Sequence, residues 1–429
     1  MMYRFFNAKI LTKDEGIIDG EMWVEDGKIT FLSPCSPLIL RQWDREFDVG
    51  GNLIMPSFKN AHTHSPMTFL RSFADDLPLD KWLFDKVFPY EAKLRGEDCY
   101  WLSRLAILEY LSSGISAVSD MYFYLEDIAN AFVDSGMRNV ILEGITQSNG
   151  PKEKLFQRLD DGKAKLDGKG GLVEYRLGLH AEYTNEMDNL LAMNEYLHEH
   201  KMRLYTHMSE TLSEVKNCKK KYGKSPVKLM NDIGMFDYGA TIYHGVWLDD
   251  EDIEILASRN ASVVTCPASN LKLASGIAPL EKLLDKGVNV GIGTDGPASN
   301  NCLDMFREMF LATALQKYIC NKADALDGAN VLQMATKGSA MAMELEGLDS
   351  LYVGAKADLV IIDLNQPNMR PINNIVKNIV YSGSKTNVKM TMINGQIKYE
   401  NGEYFVGEDV DKIYAKAQQI ADRIKGEIK

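Results

Sequence analysis

Through the middle of the chain, short apolar runs alternate with stretches of helical period. The runs are "IMPSFKNAHTH", "SAVSDMY", "NVILEGI", "YRLGLHA", "RLYTHMS", "TIYHGV", "SVVTCP" and "NVGIGTD". Between them lie "EDCYWLSRLAILEYLSSG", "EMDNLLAMNEYLHEHK", "SPVKLMNDIG", "DDEDIEILASRN" and "IAPLEKLLDKG", with apolar residues every three to four positions. Strands and helices in strict alternation predict an α/β fold, a (β/α)8 TIM barrel over residues 57–351. A doubly wound sheet yields a similar pattern, so the choice turns on where the chemically active residues fall.

The two ends read differently. "FFNAKILT" and "GEMWVEDGKITFL" are strands, with Asp26-Gly27 as a hairpin turn. At the other end "ADLVIIDL", "NIVKNIVYSG" and "VKMTMINGQIKYENGEYF" read as strands, with Asn394-Gly395 and Asn401-Gly402 as turns. An amphipathic helix follows, roughly Asp409 to Ile428. Residues 1–56 and 352–429 are therefore expected to pair into one small β-sandwich domain beside the barrel.

Composition narrows the function without naming it. Hydrophobic content of 45% and charged content of 25% are those of an ordinary globular protein. The net charge of −12, with no basic cluster, argues against nucleic acid and anionic membranes as partners. The six cysteines are scattered and form no CxxC, which disfavours a disulfide framework or thiolate metal site and fits a reducing cytosol. No run has the length of a membrane span, and the N-terminus meets acidic residues too early for a secretory leader. A cytoplasmic protein is expected, with a homo-oligomer open on base rates.

Five of the seven histidines close strand-like runs. His62 and His64 are spaced i, i+2, so on a strand both side chains take one face. His207 and Asp295 end two other runs, and all four would face the same rim. Because these ligand-type residues come from the first, fifth and eighth runs, with His244 from the sixth, a closed ring is favoured. Three imidazoles and a carboxylate form a first shell for zinc, ferrous iron or manganese, with a position left for water. Such an ion lowers the pKa of its water from ~15.7 to about 7.

Around that set stand residues with two readings each. Glu210 is either an acid/base beside the water or a carboxylate favoured by a helix N-terminus. His244 either completes the metal shell or acts on the water from outside it. His180 stands where a two-metal site would need a lysine, so one ion is expected; its plain alternative is a core histidine. Trp82 is a core or pocket residue, and Glu91 is placed to bind vicinal hydroxyls. His198 and His200 splay apart on a helix and are read as surface residues. The loops "CPASNLKLASGIAPL" and "GTDGPASNN" follow the seventh and eighth runs and would line the rim.

Several motifs resemble the amidohydrolase superfamily: "PSFKNAHTHSPMTFLR", "HMSE", "YHGVWL", "CPASNLKLASGIAPL" and "GIGTDGPASNNCLDMF". Within it the chain is similar to the 5-methylthioadenosine/S-adenosylhomocysteine deaminases, close to the triazine chlorohydrolases and guanine deaminases. The resemblance implies that His62, His64, His207 and Asp295 ligate one divalent ion, most simply zinc. It implies that Glu210 protonates a ring nitrogen, His244 holds the water, and Asp295 carries a proton to departing ammonia. Glu91 would grip ribose hydroxyls and His180 would touch the substrate. The reaction class is hydrolysis of a C–N bond in a cyclic amidine, on an adenosine-type nucleoside. One departure stands out. Members that bind the homocysteine carboxylate carry an arginine on the third strand, where this chain has Glu143, with Lys152 or Lys154 as the nearest candidates for a second basic group. A smaller or non-acidic 5′-substituent is the expectation. Other readings are hydrolysis of another heteroaromatic ring (guanine, a pterin or a triazine) and a catalytically silent barrel that serves in assembly.

Overall fold

Residues 1–34, 41–77, 81–147 and 151–428 are described in the structure, a computed structural model. Eight parallel strands follow one another in chain order around a ring. They are β1 (Phe58–Thr63), β2 (Ile115–Tyr122), β3 (Arg138–Glu143), β4 (Val173–Leu179), β5 (Leu204–Met208), β6 (Ala240–His244), β7 (Ser262–Thr265) and β8 (Asn289–Ile292). Parallel ladders join each to the next. The last seam, between β8 and β1, is closed just past the strand end. There the Asp295 amide donates to the His62 carbonyl at 2.9 Å. Asn60 and Thr294 exchange two further bonds of 2.7 and 2.8 Å. A Cβ on Gly293 would sit 2.8 Å from the His62 backbone, so glycine is what lets the seam approach.

The ring is filled rather than hollow. Ala61, Ala117, Val140, Leu142, Tyr205, Tyr243 and Val264 cluster with Ala340, Met343, Leu345 and Leu348. Thr241, near the start of β6, donates to the Ala342 carbonyl at 2.8 Å, which places this plug at the N-terminal end. Only the opposite rim is left for a pocket.

The N- and C-terminal strands pair as expected, since Leu359–Ile362 runs antiparallel to Leu53–Pro56. They build one continuous nine-stranded mixed sheet. The sheet curls until the Ile29 amide meets the Ala355 carbonyl at 2.9 Å. Its inner face holds a core of its own, with Phe5, Ile10, Met22, Val24, Ile54, Leu359 and Met392 fully buried. Sandwich-like layering thus comes from one curled sheet. Asp26-Gly27 and Asn394-Gly395 turn with both residues at positive φ, 46° and 82°, then 51° and 70°.

Two readings need correction. "IMPSFKNAHTH" holds two strands, because Ser57 divides Leu53–Pro56 of the terminal sheet from β1. "NIVKNIVYSG" is not a strand but a helix, Ile375–Tyr381, whose cap Asn374 accepts the Lys377 amide at 2.9 Å. Its β-branched residues suggest a strand, yet buried Ile379 and Val380 lie i, i+4 from Ile375 and Val376 and pack with the barrel's core. The C-terminal helix, Val410–Glu427, likewise lays Ile413, Ala417, Ile420 and Ile424 into that core.

One buried ion pair ties the sheet to the barrel. Arg138, first residue of β3, grips Asp358 through two bonds of 2.7 and 3.1 Å. The same carboxylate accepts the Asn394 amide at 3.0 Å. Arg138→Ala strands that carboxylate in a dry junction, and denaturant unfolding should show about 3–5 kcal/mol of lost stability. A loss below ~1 kcal/mol would mean that water reaches Asp358.

Candidate active site and metal centre

Every expected ligand stands at the C-terminal rim. His62 and His64 flank the end of β1, His207 and His244 end β5 and β6, and Asp295 follows β8. The ligand nitrogens of His62, His64 and His207 lie within 4.8 Å of one another, as do those of His62 and His244 with an Asp295 oxygen. Asp295 Oδ1 is 3.5 Å from His62 Nε2 and 3.3 Å from His64 Nε2. His244 and Asp295 hold left-handed backbones, φ 71° and 59°, a strain that non-glycine residues sustain mainly at functional sites.

The imidazoles are oriented from behind. His64 Nδ1 donates to the Met121 carbonyl at 2.6 Å, and His207 Nδ1 donates to the His180 carbonyl at 2.7 Å. A carbonyl can only accept, so both Nδ1 atoms carry hydrogens, and Nε2 is the atom each ring turns toward the centre. His62 is held differently: its ring stacks on Tyr243 with centroids 3.8 Å apart, and both of its nitrogens are buried without a hydrogen-bond partner. Orphaned imidazole nitrogens facing a carboxylate oxygen are a donor set that fits a divalent cation. Burial lowers His62 to about 3 and His207 well below its usual range. Burial alone would raise the Asp295 carboxyl, but the facing His62 and His64 hold it well below.

Glu210 and His244 stand next to the cluster. His244 Nδ1 meets Asn270 Oδ1 at 2.8 Å, and its Nε2 is 3.9 Å from Glu210 Oε2. Glu210 is not part of the following helix, Leu212–Tyr222, which Thr211 and Glu214 cap between them. Its side chain faces the cavity instead, accepting from Ser275 Oγ at 3.2 Å, while its amide donates to Glu214 Oε2 at 2.8 Å. Burial raises its acid pKa, so the protonated form is favoured more than in an exposed glutamate.

The cavity encloses about 150 Å³. His64, His207, His244, Asp295 and Glu210 line it, and so do Trp82, Glu91 and His180. Glu91 is buried, pushed up to about 7 by burial, and accepts the Tyr122 hydroxyl at 2.5 Å. His180, lowered to about 4 by burial, is neutral; its ring lies 4.9 Å from that of His207. Glu143 lies further out, in an adjoining chamber with Phe84, Phe88, Phe123 and Tyr183. There it pairs with Arg158 at 3.1 Å. Arg158 is thus the basic group facing this position, whereas Lys152 pairs with Glu195 at 2.7 Å on the surface. His198 and His200 lie outside the cavity, the former 3.4 Å from Asp237.

Sequence reasoning did not single out Ser269, Asn270, Ser275, Ser299, Tyr122 or Tyr243. A signal existed for some, since the two rim loops repeat "PASN" at 267–270 and 297–300.

A parallel barrel with histidines and an aspartate gathered at its C-terminal rim has the architecture of a metal-assisted hydrolase. Residues 53–398 match the model of the amidohydrolase family, and the chain belongs to that family. It is 39% identical over 407 residues to the 5′-deoxyadenosine deaminase of Methanopyrus kandleri, covering 93% of this chain and 94% of that one. It is 40% identical over 385 residues to the 5-methylthioadenosine/S-adenosylhomocysteine deaminase of Thermococcus sibiricus, covering 89% and 90%. Among solved structures, an adenosine deaminase from Xanthomonas campestris with bound zinc superposes with a TM-score of 0.91 at 30% identity, covering 99% of this chain and 98% of that one. Among the described residues no helix is long and apolar enough to cross a membrane.

Proposed function

We propose that the protein is a hydrolytic deaminase of adenosine-type nucleosides, replacing the 6-amino group of the purine by oxygen and releasing ammonia. The observation that carries this reading is one cavity in which a buried, protonatable Glu210 faces a His/Asp cluster across space for a flat ring. His62, His64, His207 and Asp295 would hold one divalent ion per chain, zinc first and iron or manganese as substitutes. When bound, that ion would supply hydroxide at neutral pH.

The chain's own groups do the rest. Glu210 gives its proton to the ring nitrogen beside the attacked carbon, which draws negative charge out of the ring as the tetrahedral carbon forms. His244 orients the attacking water, Asp295 takes one of its protons and passes it to the departing amine, and the other returns to Glu210 as the new C–O bond becomes a carbonyl. Water is consumed, the C–N bond breaks, and ammonia leaves. Glu91, held by Tyr122, receives the ribose hydroxyls, while Trp82 and His180 wall the pocket. The oriented groups favour the transition state over the flat ground state. The free cysteines, Cys99, Cys218 and Cys266 among them, suit a cytosolic enzyme.

Glu143 sets the finer preference. In the outer chamber it offers a carboxylate paired with Arg158, the cationic side chain that lines this chamber among the described residues, so an incoming carboxylate must compete with Glu143 for it. 5′-Deoxyadenosine, methylthioadenosine and adenosine should give higher kcat/KM than S-adenosylhomocysteine. Ammonia release across these four, with guanine and an aminotriazine as controls, tests the assignment. A maximum for the homocysteine conjugate would reverse the preference, and activity on the free ring alone would overturn the nucleoside reading.

A further inference from the structure

The segments after β7 and β8 carry the same four residues, Pro-Ala-Ser-Asn, at 267–270, where they open the short helix Pro267–Lys272, and at 297–300, where they form a turn. Their serines converge on one atom. Ser269 Oγ and Ser299 Oγ donate to Asp295 Oδ2 at 2.6 and 2.8 Å. With that oxygen doubly occupied, Oδ1 is the one turned toward His62 and His64. The first asparagine, Asn270, meets the ring of His244 at 2.8 Å. The second, Asn300, holds the backbone one residue before Asp295, donating to the Thr294 carbonyl at 2.6 Å.

Lys272, which donates to Asn301 Oδ1, and Glu308 both bridge the two segments. Glu308, on the helix Met305–Cys320, is fully buried. Its Oε2 accepts the Ala268 amide at 2.9 Å in the first segment, and its Oε1 accepts Asn300 Nδ2 at 2.8 Å in the second. Among the described residues no cationic side chain forms an ion pair with it. Burying an unpaired carboxylate opposes folding, and what it gains here is two amide donors, one from each segment.

We propose that Glu308 is a positioning residue for the reaction. It holds the two Pro-Ala-Ser-Asn segments in register, so that Ser269 and Ser299 fix which oxygen of Asp295 faces the imidazoles and Asn270 fixes the ring of His244. Each segment reaches Asp295 Oδ2 through one serine hydroxyl, so both must stay in place for that oxygen to be doubly occupied. The inference rests on the metal-dependent deaminase reading, and its test separates the two.

The experiment is a mutant cycle on the full chain, comparing Glu308→Ala, the double variant Ser269→Ala/Ser299→Ala, and all three changes together. Readouts are kcat and KM for 5′-deoxyadenosine, zinc affinity by chelator competition, and Tm. Glu308→Ala should lower kcat and zinc affinity each by roughly tenfold to a hundredfold, the range for groups that orient ligands from behind, with KM moving less. On the serine-free background the same change should cost zinc affinity at most about threefold, because its route to Asp295 is already cut, while the part of the kcat loss that runs through Asn270 and His244 remains. Glu308→Gln keeps one acceptor and should fall between wild type and alanine; it replaces the alanine variant in the cycle if that does not fold. An equal cost in zinc affinity in both backgrounds would overturn the proposal, and so would a loss of Tm with kcat and zinc affinity unchanged. If the unmutated enzyme released no ammonia, the deaminase reading would fail while the zinc-affinity cycle still decided the role of Glu308.

Discussion

Glu210→Gln should lower kcat/KM by roughly two to four orders of magnitude while the bound metal stays. Glutamine keeps the shape and leaves the amide contact with Glu214 in place, yet it has no carboxyl proton to give. The loss should fall mainly on kcat, since the proton is needed as the tetrahedral carbon forms and little before it. The pH profile carries the same information. Burial raises the pKa of Glu210, and the protonated form is the competent one. Activity should therefore decline as pH rises through that raised value, and in Glu210→Gln this basic limb should disappear. Steady-state ammonia release with parallel metal analysis checks both. Activity within a few-fold of wild type would assign the proton to another group.

His207→Ala should have the second large effect, on metal retention before catalysis. Its Nδ1 is spent on the His180 carbonyl, so its whole contribution at the rim is one nitrogen among the expected ligands. Removing it should weaken retention by roughly a thousandfold or more, beyond the tenfold to hundredfold typical of groups that only orient ligands. The ladder of β5 to β6 is made by backbone and should persist, so Tm of the metal-free protein should hardly move. Dialysis against a graded chelator series, with Tm in parallel, gives the answer. An unchanged affinity would remove His207 from the ligand set.

The barrel was legible because each strand is a short apolar run bounded by helical period, and the grouping of His62, His64, His207 and Asp295 because histidines are few and sit where those runs stop. The i, i+2 spacing of His62 and His64 needed only the strand's side-chain alternation to place both rings together. What stayed hidden depends on contacts between distant positions. Glu91 and Tyr122 are 31 residues apart, and nothing local to either announces the bond. Arg158 reaches Glu143 from the next helix, where it looks like any solvated charge. Ile375–Tyr381 misled because branched apolar residues favour strands, while Asn374 at its start is as much a cap as a turn residue. The break at Ser57 escaped because two strands in different sheets follow one another with a single residue between them. Ser269 and Ser299 were spelled out in the repeated "PASN", but their common target appears only when β7 and β8 lie side by side.

The most direct check on the whole account is zinc stoichiometry with K-edge X-ray absorption on the loaded enzyme. One ion per chain is predicted, in a nitrogen and oxygen shell containing three imidazoles at about 2.0–2.1 Å, and it should be absent from a His62→Ala/His64→Ala variant. Two ions per chain, a shell with sulfur, or zinc that remains after both histidines are removed would contradict it.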